Sequence, residues 1–211
     1  MAKAKIIGTG AYAPGERISN DEIRRLAGVE FDEERVAEVR GIRGRHFARL
    51  RGLDESTADF AEKAARAAMA DAGVAASDPS LFVVATDTPE YISPPTSMLV
   101  QGRIQGGQAD AETLDVNASC AGFVTAFDLA AKLLAAEPSY RYAVVVGAYC
   151  MSAHIRPGDA FGWGSSATEP GPSSSSESPT TTRRATWPAA SYRTVPSGTT
   201  SACTPAAPGS R

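Results

Sequence analysis

One cysteine, Cys120, stands where a short β-prone run at 113–116 gives way to a helical pattern. Apolar side chains then recur at Phe127, Leu129 and Leu133. A thiol at the start of a helix lies near unpaired backbone N–H groups and the positive end of the helix dipole. Such surroundings favour the thiolate, which is the nucleophilic form, so Cys120 is a candidate for covalent catalysis. Most free cysteines are small buried apolar residues, and position alone favours that second interpretation.

A basic segment lies upstream of this cysteine. It contains His46 and five arginines, Arg40, Arg43, Arg45, Arg49 and Arg51. Such a run is typical of a solvated surface, although guanidinium groups also bind phosphate in a bidentate manner. We expect a surface segment, with His46 in a packing or surface role and not a catalytic one.

Two apolar runs indicate the sheet that would position Cys120. Residues 81–85 and 142–147 are continuous apolar stretches, typical of strands buried on both faces. Helical patterns alternate with these strands, which predicts an α/β fold with a parallel or mixed sheet covered by helices. Ligands approach such sheets at the carboxyl ends of the strands, where Cys120 falls. The loops 86–93 and 147–161 are therefore expected to neighbour the thiol.

The remaining elements follow from capping and turn signals. We predict a first strand at 5–10, a short helix from Ser19 to about residue 27, and a second helix at 32–40. Ser56 and Asp59 form a capping box for a long helix with an alanine face that ends at Gly73. Residues 94–95, both proline, begin another helix that reaches about residue 104.

Composition excludes several classes of function. The net charge is −3, so the chain has no excess of basic residues that would suggest binding to nucleic acid. The three cysteines do not have the spacing of a disulfide pair or of a metal site, and they do not cluster with the two histidines. We therefore expect no metal and a reducing, cytoplasmic setting. The apolar run near the N-terminus is too short for a signal peptide, and no apolar run approaches membrane-spanning length.

The character of the chain changes at Trp163. From there onward it contains no Leu, Ile, Met, Phe, Lys or Asp, and Ser, Thr, Pro and Ala dominate. Such a segment buries too little apolar surface to offset chain entropy, which predicts disorder. We predict a domain at 1–162 and a disordered tail at 163–211.

Five motifs in order carry a family resemblance: Ile-Gly-Thr-Gly at 7–10, Gly-Ile-Arg at 41–43, Val-Ala-Thr at 84–86, Asp-Val-Asn-Ala-Ser-Cys-Ala-Gly-Phe at 115–123 and Val-Val-Gly at 145–147. Together they resemble the β-ketoacyl-acyl-carrier-protein synthase III group of the thiolase superfamily over roughly residues 3–162. The resemblance implies the N-terminal half of a thiolase-like fold, in which two similar halves stack as αβαβα layers, and it implies a homodimer.

The same resemblance implies a mechanism. Cys120 would accept an acyl group from an acyl-coenzyme A, with backbone N–H groups holding the oxyanion. Decarboxylating Claisen condensation with malonyl-acyl carrier protein would follow, in fatty acid or polyketide biosynthesis. Arg43 and Ser93 would bind substrate, and no cofactor is expected beyond these substrates. Arg35 and Val39 stand where the family's coenzyme A site has tryptophan and arginine, and Ser93 replaces a bulky aromatic, leaving room for a larger acyl group.

The family's catalytic histidine and asparagine come from its C-terminal half, which we expect this chain to lack, so we expect little or no condensing activity. His154 is not expected to replace that histidine; Cys150 is expected to be structural and Cys203 to have no role. The tail has one further interpretation. G+C-rich codons for residues 168–176, shifted by two bases, encode Gly-Ala-Gly-Ala-Val-Val-Leu-Val, close to the glycine-rich run that the family carries here, which suggests a reading-frame change near Trp163.

Two alternatives stay open. A relative of hydroxymethylglutaryl-coenzyme A synthase would need a carboxylate near the thiol, for which Glu90 is the only loop candidate; an ester-forming relative belongs to the same class. The other alternative is a truncated, non-catalytic chain that only dimerises or binds a partner.

Overall fold

The computed structural model describes residues 4–107, 110–165 and 181–182. The helices are α1 Asn20–Ala27, α2 Glu33–Glu38, α3 Thr57–Ala72, α4 Thr96–Gln105, α5 Gly122–Ala136 and α6 Ala160–Ser165. The strands are β1 Ile18–Ser19, β2 Gly44–Arg45, β3 Leu81–Ala85, β4 Glu112–Val116, β5 Ala143–Gly147 and β6 Thr181–Thr182. Short 3-10 turns lie at Arg49–Arg51, Ser119–Ala121 and Met151–Ala153.

The main sheet has the strand order β4-β3-β5-β6. Strands β3, β4 and β5 run parallel, and β6 pairs antiparallel with β5. Strands β1 and β2 form a separate antiparallel pair. The predicted α/β fold with a mixed sheet is therefore confirmed.

Helices cover both faces of this sheet, because its central strands are apolar on both sides. Phe82 and Val84 of β3 face a core built with α3 and α4. Leu81 and Val83 face the opposite core, which includes the α5 residues Ala126, Ala130 and Leu134. The alternation of side chains along a strand divides one apolar run between two cores.

The helix signals in the sequence are confirmed with small shifts in boundaries. Ser56 and Asp59 form the predicted capping box of α3, and Gly73 ends that helix in a left-handed conformation. Ser19 caps α1 by accepting from the Glu22 amide. Helix α2 is shorter than predicted and has Asp32 as its N-cap.

The predicted first strand at 5–10 is wrong: within the described residues only Lys5 makes a β-bridge there. The glycines that suggested a strand end have a different use. A Cβ added to Gly8 would lie 2.4 Å from the Ala68 oxygen, and one added to Gly10 would lie 2.6 Å from the Ala64 oxygen. The backbone therefore presses directly on the alanine face of α3.

A third cluster joins the first residues to the last part of the domain. Ile18, Ile23 and Phe47 pack with Trp163, and the rings of Phe47 and Trp163 meet edge to face at 5.5 Å. Helix α6 spans Ala160–Ser165 and therefore continues past residue 162. The division into a domain at 1–162 and a tail at 163–211 stays a prediction. Of the predicted disordered tail, Thr181 and Thr182 form β6; residues 166–180 and 183–211 lie outside the described residues.

One described segment, Ser119–Ala136, is long and apolar enough by length and composition to cross a membrane. The expectation that no run approaches that length was therefore wrong. The core helix of a globular protein passes the same test, and Ala126, Ala130 and Leu134 pack against the sheet. This segment is the turn that carries Cys120 together with α5.

Candidate functional site

Cys120 occupies the 3-10 turn between β4 and α5, and its side chain is exposed. The preceding residue, Ser119, adopts a φ of 46°, which is rare for a residue with a side chain. The Ala121 amide closes the turn by donating to the Ala118 oxygen at 3.0 Å. The chain therefore reverses sharply at the thiol and presents it at the start of a helix.

Three strand ends meet beside this turn. Ala85, at the end of β3, is opposite Val116 of β4 and Gly147 of β5. The Thr86 amide donates to the Val116 oxygen at 3.1 Å, and the Ala148 amide donates to the Ala85 oxygen at 3.0 Å. The loops after all three strands therefore begin at one edge, as predicted from the parallel pattern.

The start of α5 lies close against that edge. A Cβ added to Gly122 would lie 3.5 Å from the Ala85 Cβ, and one added to Gly147 would lie 3.3 Å from Phe123 Cδ2. The contact at Gly122 is an ordinary van der Waals distance, whereas the one at Gly147 is tight, so a small residue at Gly147 lets Phe123 at the start of α5 pack on the end of β5.

A buried threonine links the loops that follow β3 and β5. Thr88 accepts at its carbonyl from Thr57 Oγ1 at 2.6 Å, and its hydroxyl accepts from the Cys150 amide at 2.9 Å. The Thr88 amide donates to Thr86 Oγ1 at 3.0 Å. Cys150 itself is 3% exposed, which suits the structural role expected for it.

A contact that the sequence interpretation missed joins β4 to α4. The two carboxylate oxygens of Asp115 accept from the Thr96 amide at 2.7 Å and from the Ser97 amide at 2.8 Å. Pro95 is the N-cap of α4 and makes no side-chain cap. A helix that begins after two prolines, with an aspartate in the strand leading to the cysteine, was the available signal.

The two predicted substrate-binding residues lie in different places. Ser93 is exposed in the loop after β3, beside the exposed Tyr91 and Ile92. Arg43 is exposed next to β2, in the separate two-stranded pair. The structure thus places Ser93 on one of the loops that begin at the Cys120 edge, and Arg43 on another part of the fold.

A cleft of about 190 Å³ lies between α2 and α6. It is lined by Phe31, Asp32, Arg35, Val36, Arg40, Ala160, Phe161 and Gly164. The Arg40 guanidinium lies 5.7 Å from the centroid of the Phe161 ring. Arg35 therefore lines a cleft that combines cations with aromatic rings, whereas Val39 is 75% exposed and not part of its lining.

Glu90 lies near the start of α3, and its Oε2 is buried without a partner among the described residues. Burial raises the pKa of Glu90, and the Asp59 charge adds to that rise, while Arg103 and the Ala58 amide oppose it. His154 is exposed after a 3-10 turn. Among the described residues, no group of three or more His, Cys, Asp or Glu side chains could hold a metal ion.

Comparison with known proteins matches residues 114–166, which include Cys120, to the family model of 3-oxoacyl-[acyl-carrier-protein (ACP)] synthase III. A β-ketoacyl-[acyl-carrier-protein] synthase III of Rhodospirillum centenum is 41% identical over 150 residues, covering 71% of this chain and 44% of the relative. The acetoacetyl CoA synthase NphT7 of Streptomyces sp. strain CL190 is 38% identical over 182 residues, covering 83% of this chain and 52% of the relative.

Solved structures give the same picture of the fold. A 3-oxoacyl-(acyl carrier protein) synthase III from Pseudomonas aeruginosa PAO1 superposes with a TM-score of 0.71 at 26% identity, covering 87% of this chain and 52% of that one. The priming β-ketosynthase of the R1128 polyketide pathway gives 0.72 at 25% identity, covering 88% and 51%. The chain spans about half the length of the relatives it matches.

Proposed function

We propose that this chain belongs to the β-ketoacyl-acyl-carrier-protein synthase III group of the thiolase superfamily and performs the acyl transfer of that group. Cys120 is the acyl-accepting nucleophile of an acyltransferase. The observation that best supports this proposal is the position of the Cys120 thiol. It is exposed on a sharp turn, where the ends of three strands meet the start of α5.

The chemistry is a transthioesterification. The Cys120 thiolate attacks the thioester carbonyl of an acyl-coenzyme A, the bond from that carbon to the coenzyme A sulfur breaks, and coenzyme A leaves as its thiolate. The negative oxygen formed in between is stabilised by backbone N–H groups, of which a helix start such as that of α5 offers several without intrahelical partners. No cofactor is needed beyond the substrates.

The cleft between α2 and α6 suits the nucleotide end of coenzyme A. Arg35 and Arg40 supply guanidinium groups for phosphate, and the exposed Phe161 ring supplies a face for a base. Arg43 lies close in sequence to this cleft and binds the same end of the substrate. Ser93, on the loop after β3, contacts the acyl group, and its small side chain admits a larger acyl chain than an aromatic residue would.

The later half of the reaction is a condensation that we propose for proteins of the relatives' full length. There the acyl-cysteine would condense with malonyl-acyl carrier protein with loss of CO₂, in a cytoplasmic homodimer serving fatty acid or polyketide biosynthesis. We propose that this chain accepts an acyl group at Cys120 but condenses poorly, because the histidine and asparagine that assist decarboxylation in the group are not supplied by its described residues.

A second candidate differs in the acceptor. The similarity to the Streptomyces acetoacetyl CoA synthase supports an acceptor thioester carried by coenzyme A in place of a carrier protein. The alternative that needs Glu90 as an acid/base gains less support, because the charges that act on the Glu90 carboxylate are those of Arg103 in α4 and Asp59 in α3.

The test is the intact mass of the chain after incubation with acyl-coenzyme A thioesters from acetyl to octanoyl. An acyl adduct that is lost in Cys120→Ala and retained in Cys150→Ala supports the proposal. Cys150→Ala is the matched control, because it removes a thiol that is buried. If none of the donors gives an adduct, the result would support the non-catalytic alternative.

A further inference from the structure

We propose that Phe123 is a positioning residue for Cys120 and that it acts through its contact with Gly147. This contact fixes the first turn of α5, and with it the 3-10 turn that carries the thiol. The proposal deepens the proposed function and rests on it in taking Cys120 as the reactive thiol. Phe123 acts on the backbone that presents the thiol and not on the substrate.

The turn at Cys120 needs support from outside itself. Ser119 has a φ of 46°, and a residue with a Cβ stays in this left-handed region only where the surrounding structure holds it there. The Ala121 amide donates to the Ala118 oxygen at 3.0 Å, and the Gly122 amide donates to the Ser119 oxygen. These short-range bonds close the turn, but they do not fix its direction relative to the sheet.

The two ends of the turn are held differently. Before the turn, Val116 is the last residue of β4, and its oxygen accepts from the Thr86 amide at 3.1 Å. After the turn, α5 has Ala121 as its N-cap, with no side-chain hydrogen bond. The sheet therefore fixes the chain before Cys120, and packing of the first helical residues has to fix it afterwards.

Phe123 supplies that packing. A Cβ added to Gly147 would lie 3.3 Å from Phe123 Cδ2 and 3.5 Å from Phe123 Cβ, so the side chain lies directly on the backbone at the end of β5. Phe123 also packs against the core that contains Ala85 and Val145. Since only three positions separate Phe123 from Cys120, a shift of this side chain moves the turn that carries the thiol.

Phe127 provides a matched control in the same helix. It packs against the same core as Phe123, and the two ring centroids are 6.3 Å apart. Phe127 is about one helical turn further from Cys120. The three atoms nearest to an added Gly147 Cβ all belong to Phe123. Truncation of either phenylalanine therefore removes a ring from one core, but the contact with Gly147 is lost with Phe123.

The experiment compares the full chain with Phe123→Ala, Phe123→Leu, Gly147→Ala and Phe127→Ala. The first readout is the rate at which iodoacetamide alkylates Cys120 at neutral pH, a reaction that needs no acyl transfer. Peptide mapping separates the label on Cys120 from label on the other cysteines.

Two further readouts separate positioning from stability. Hydrogen exchange of the Ala121 and Gly122 amides reports on the order of the turn, because these amides close it. Thermal unfolding reports the overall stability of each variant.

We expect Phe123→Ala to slow alkylation of Cys120 by about threefold or more, because a disordered helix start stabilises a thiolate less than an ordered one. Exchange of the Ala121 and Gly122 amides accelerates by about tenfold, as local opening becomes easier. Gly147→Ala displaces Phe123 and changes both readouts in the same direction. Phe123→Leu keeps a branched side chain on Gly147 and retains most of the wild-type rate.

Phe127→Ala lowers thermal stability to a similar extent but leaves the alkylation rate and the exchange of the turn unchanged. Equal effects of Phe123→Ala and Phe127→Ala on both readouts overturn the proposal. Wild-type alkylation and exchange in folded Phe123→Ala also overturn it. If Phe123→Ala does not fold, Gly147→Ala decides, because it disturbs the same contact and keeps the phenylalanine.

The outcomes are distinguishable from those of the proposed function. A wild-type chain that takes no acyl group from any thioester contradicts the proposed function, while alkylation and hydrogen exchange still decide the positioning role of Phe123.

Discussion

Arg45 and Trp163 are joined by a hydrogen bond of 2.6 Å from guanidinium Nη1 to the carbonyl oxygen, across 118 positions of sequence. Arg45 is fully buried and also donates to the Gly164 oxygen and to Asn20 Oδ1, each at 3.0 Å. Burial, with a smaller effect of Arg40, lowers the pKa of Arg45 to about 10. The basic segment predicted as surface therefore includes a buried arginine that ties α6 to the N-terminal part of the domain.

We expect Arg45→Met to lower the free energy of unfolding by about 3 kcal/mol, because it leaves buried oxygen acceptors without donors. Urea denaturation, with tryptophan fluorescence as one probe and circular dichroism as another, measures the change. Arg49→Met is the control, since Arg49 is exposed. Equal stability of the two variants would contradict the role assigned to Arg45.

The close approach of the N-terminal segment to α3 makes a second prediction. Gly8→Ala places a Cβ 2.4 Å from the Ala68 oxygen, so we expect a loss of about 2 kcal/mol or more from overpacking. In Gly102→Ala the added Cβ, inside α4, meets no atom within 4 Å apart from the adjacent backbone of its own helix, and this variant should gain about 0.5 kcal/mol from helix propensity. Thermal unfolding of Gly8→Ala and Gly102→Ala measures both changes in stability. Equal changes in the two variants would contradict the close packing of Gly8 on α3.

Glu90 gives a prediction about pH. Because burial raises the pKa of Glu90 in the folded chain, the folded state binds more protons than the unfolded state above the ordinary value of 4.5. The free energy of unfolding therefore falls as pH rises from 4.5 through the raised pKa of Glu90. Below pH 4.5 Glu90 is protonated in both states and does not make the stability depend on pH. Glu90→Gln removes the titration.

The measurement is urea denaturation between pH 4 and pH 8. We expect the stability of Glu90→Gln relative to wild type to increase as pH rises across this range. A difference that is constant with pH would show that the Glu90 pKa is not raised on folding. Glu34→Gln, at an exposed position in α2, is the control.

Thr88 supports the two loops that flank the candidate nucleophile. Thr88→Val leaves the buried Cys150 amide without its acceptor and should cost about 1–3 kcal/mol. Thr88→Ser retains the hydroxyl and should cost less. If denaturation midpoints show the two variants to be equally destabilised, the loss comes from packing and not from the hydrogen bond.

Much of the fold was predictable because its signals are local. The apolar runs of β3 and β5, the capping box at Ser56 and the stop at Gly73 depend on neighbouring residues, and each was predicted correctly. The segment at 5–10 was not predicted correctly, because its glycines pack against the alanine face of α3, which is distant in sequence.

The site was predictable only in part for the same reason. Cys120 falls at a strand end that the parallel pattern indicates, and its catalytic role stays a prediction. The Asp115 contact with α4 and the hydrogen bonds of buried Arg45 join distant parts of the chain, so no local sequence pattern predicts them. The proposed roles of Arg43 and Ser93 come from resemblance, and they too stay predictions.

The most direct measurement locates the acyl group. The chain is incubated with acetyl-coenzyme A beside an equal concentration of glutathione thiol, and tandem mass spectrometry of the peptides identifies the acylated cysteine. We predict that Cys120 is acylated faster than glutathione, while Cys150 and Cys203 are not acylated. Acylation of Cys120 no faster than that of glutathione, or an adduct on Cys150 or Cys203 with Cys120 unmodified, would contradict the account.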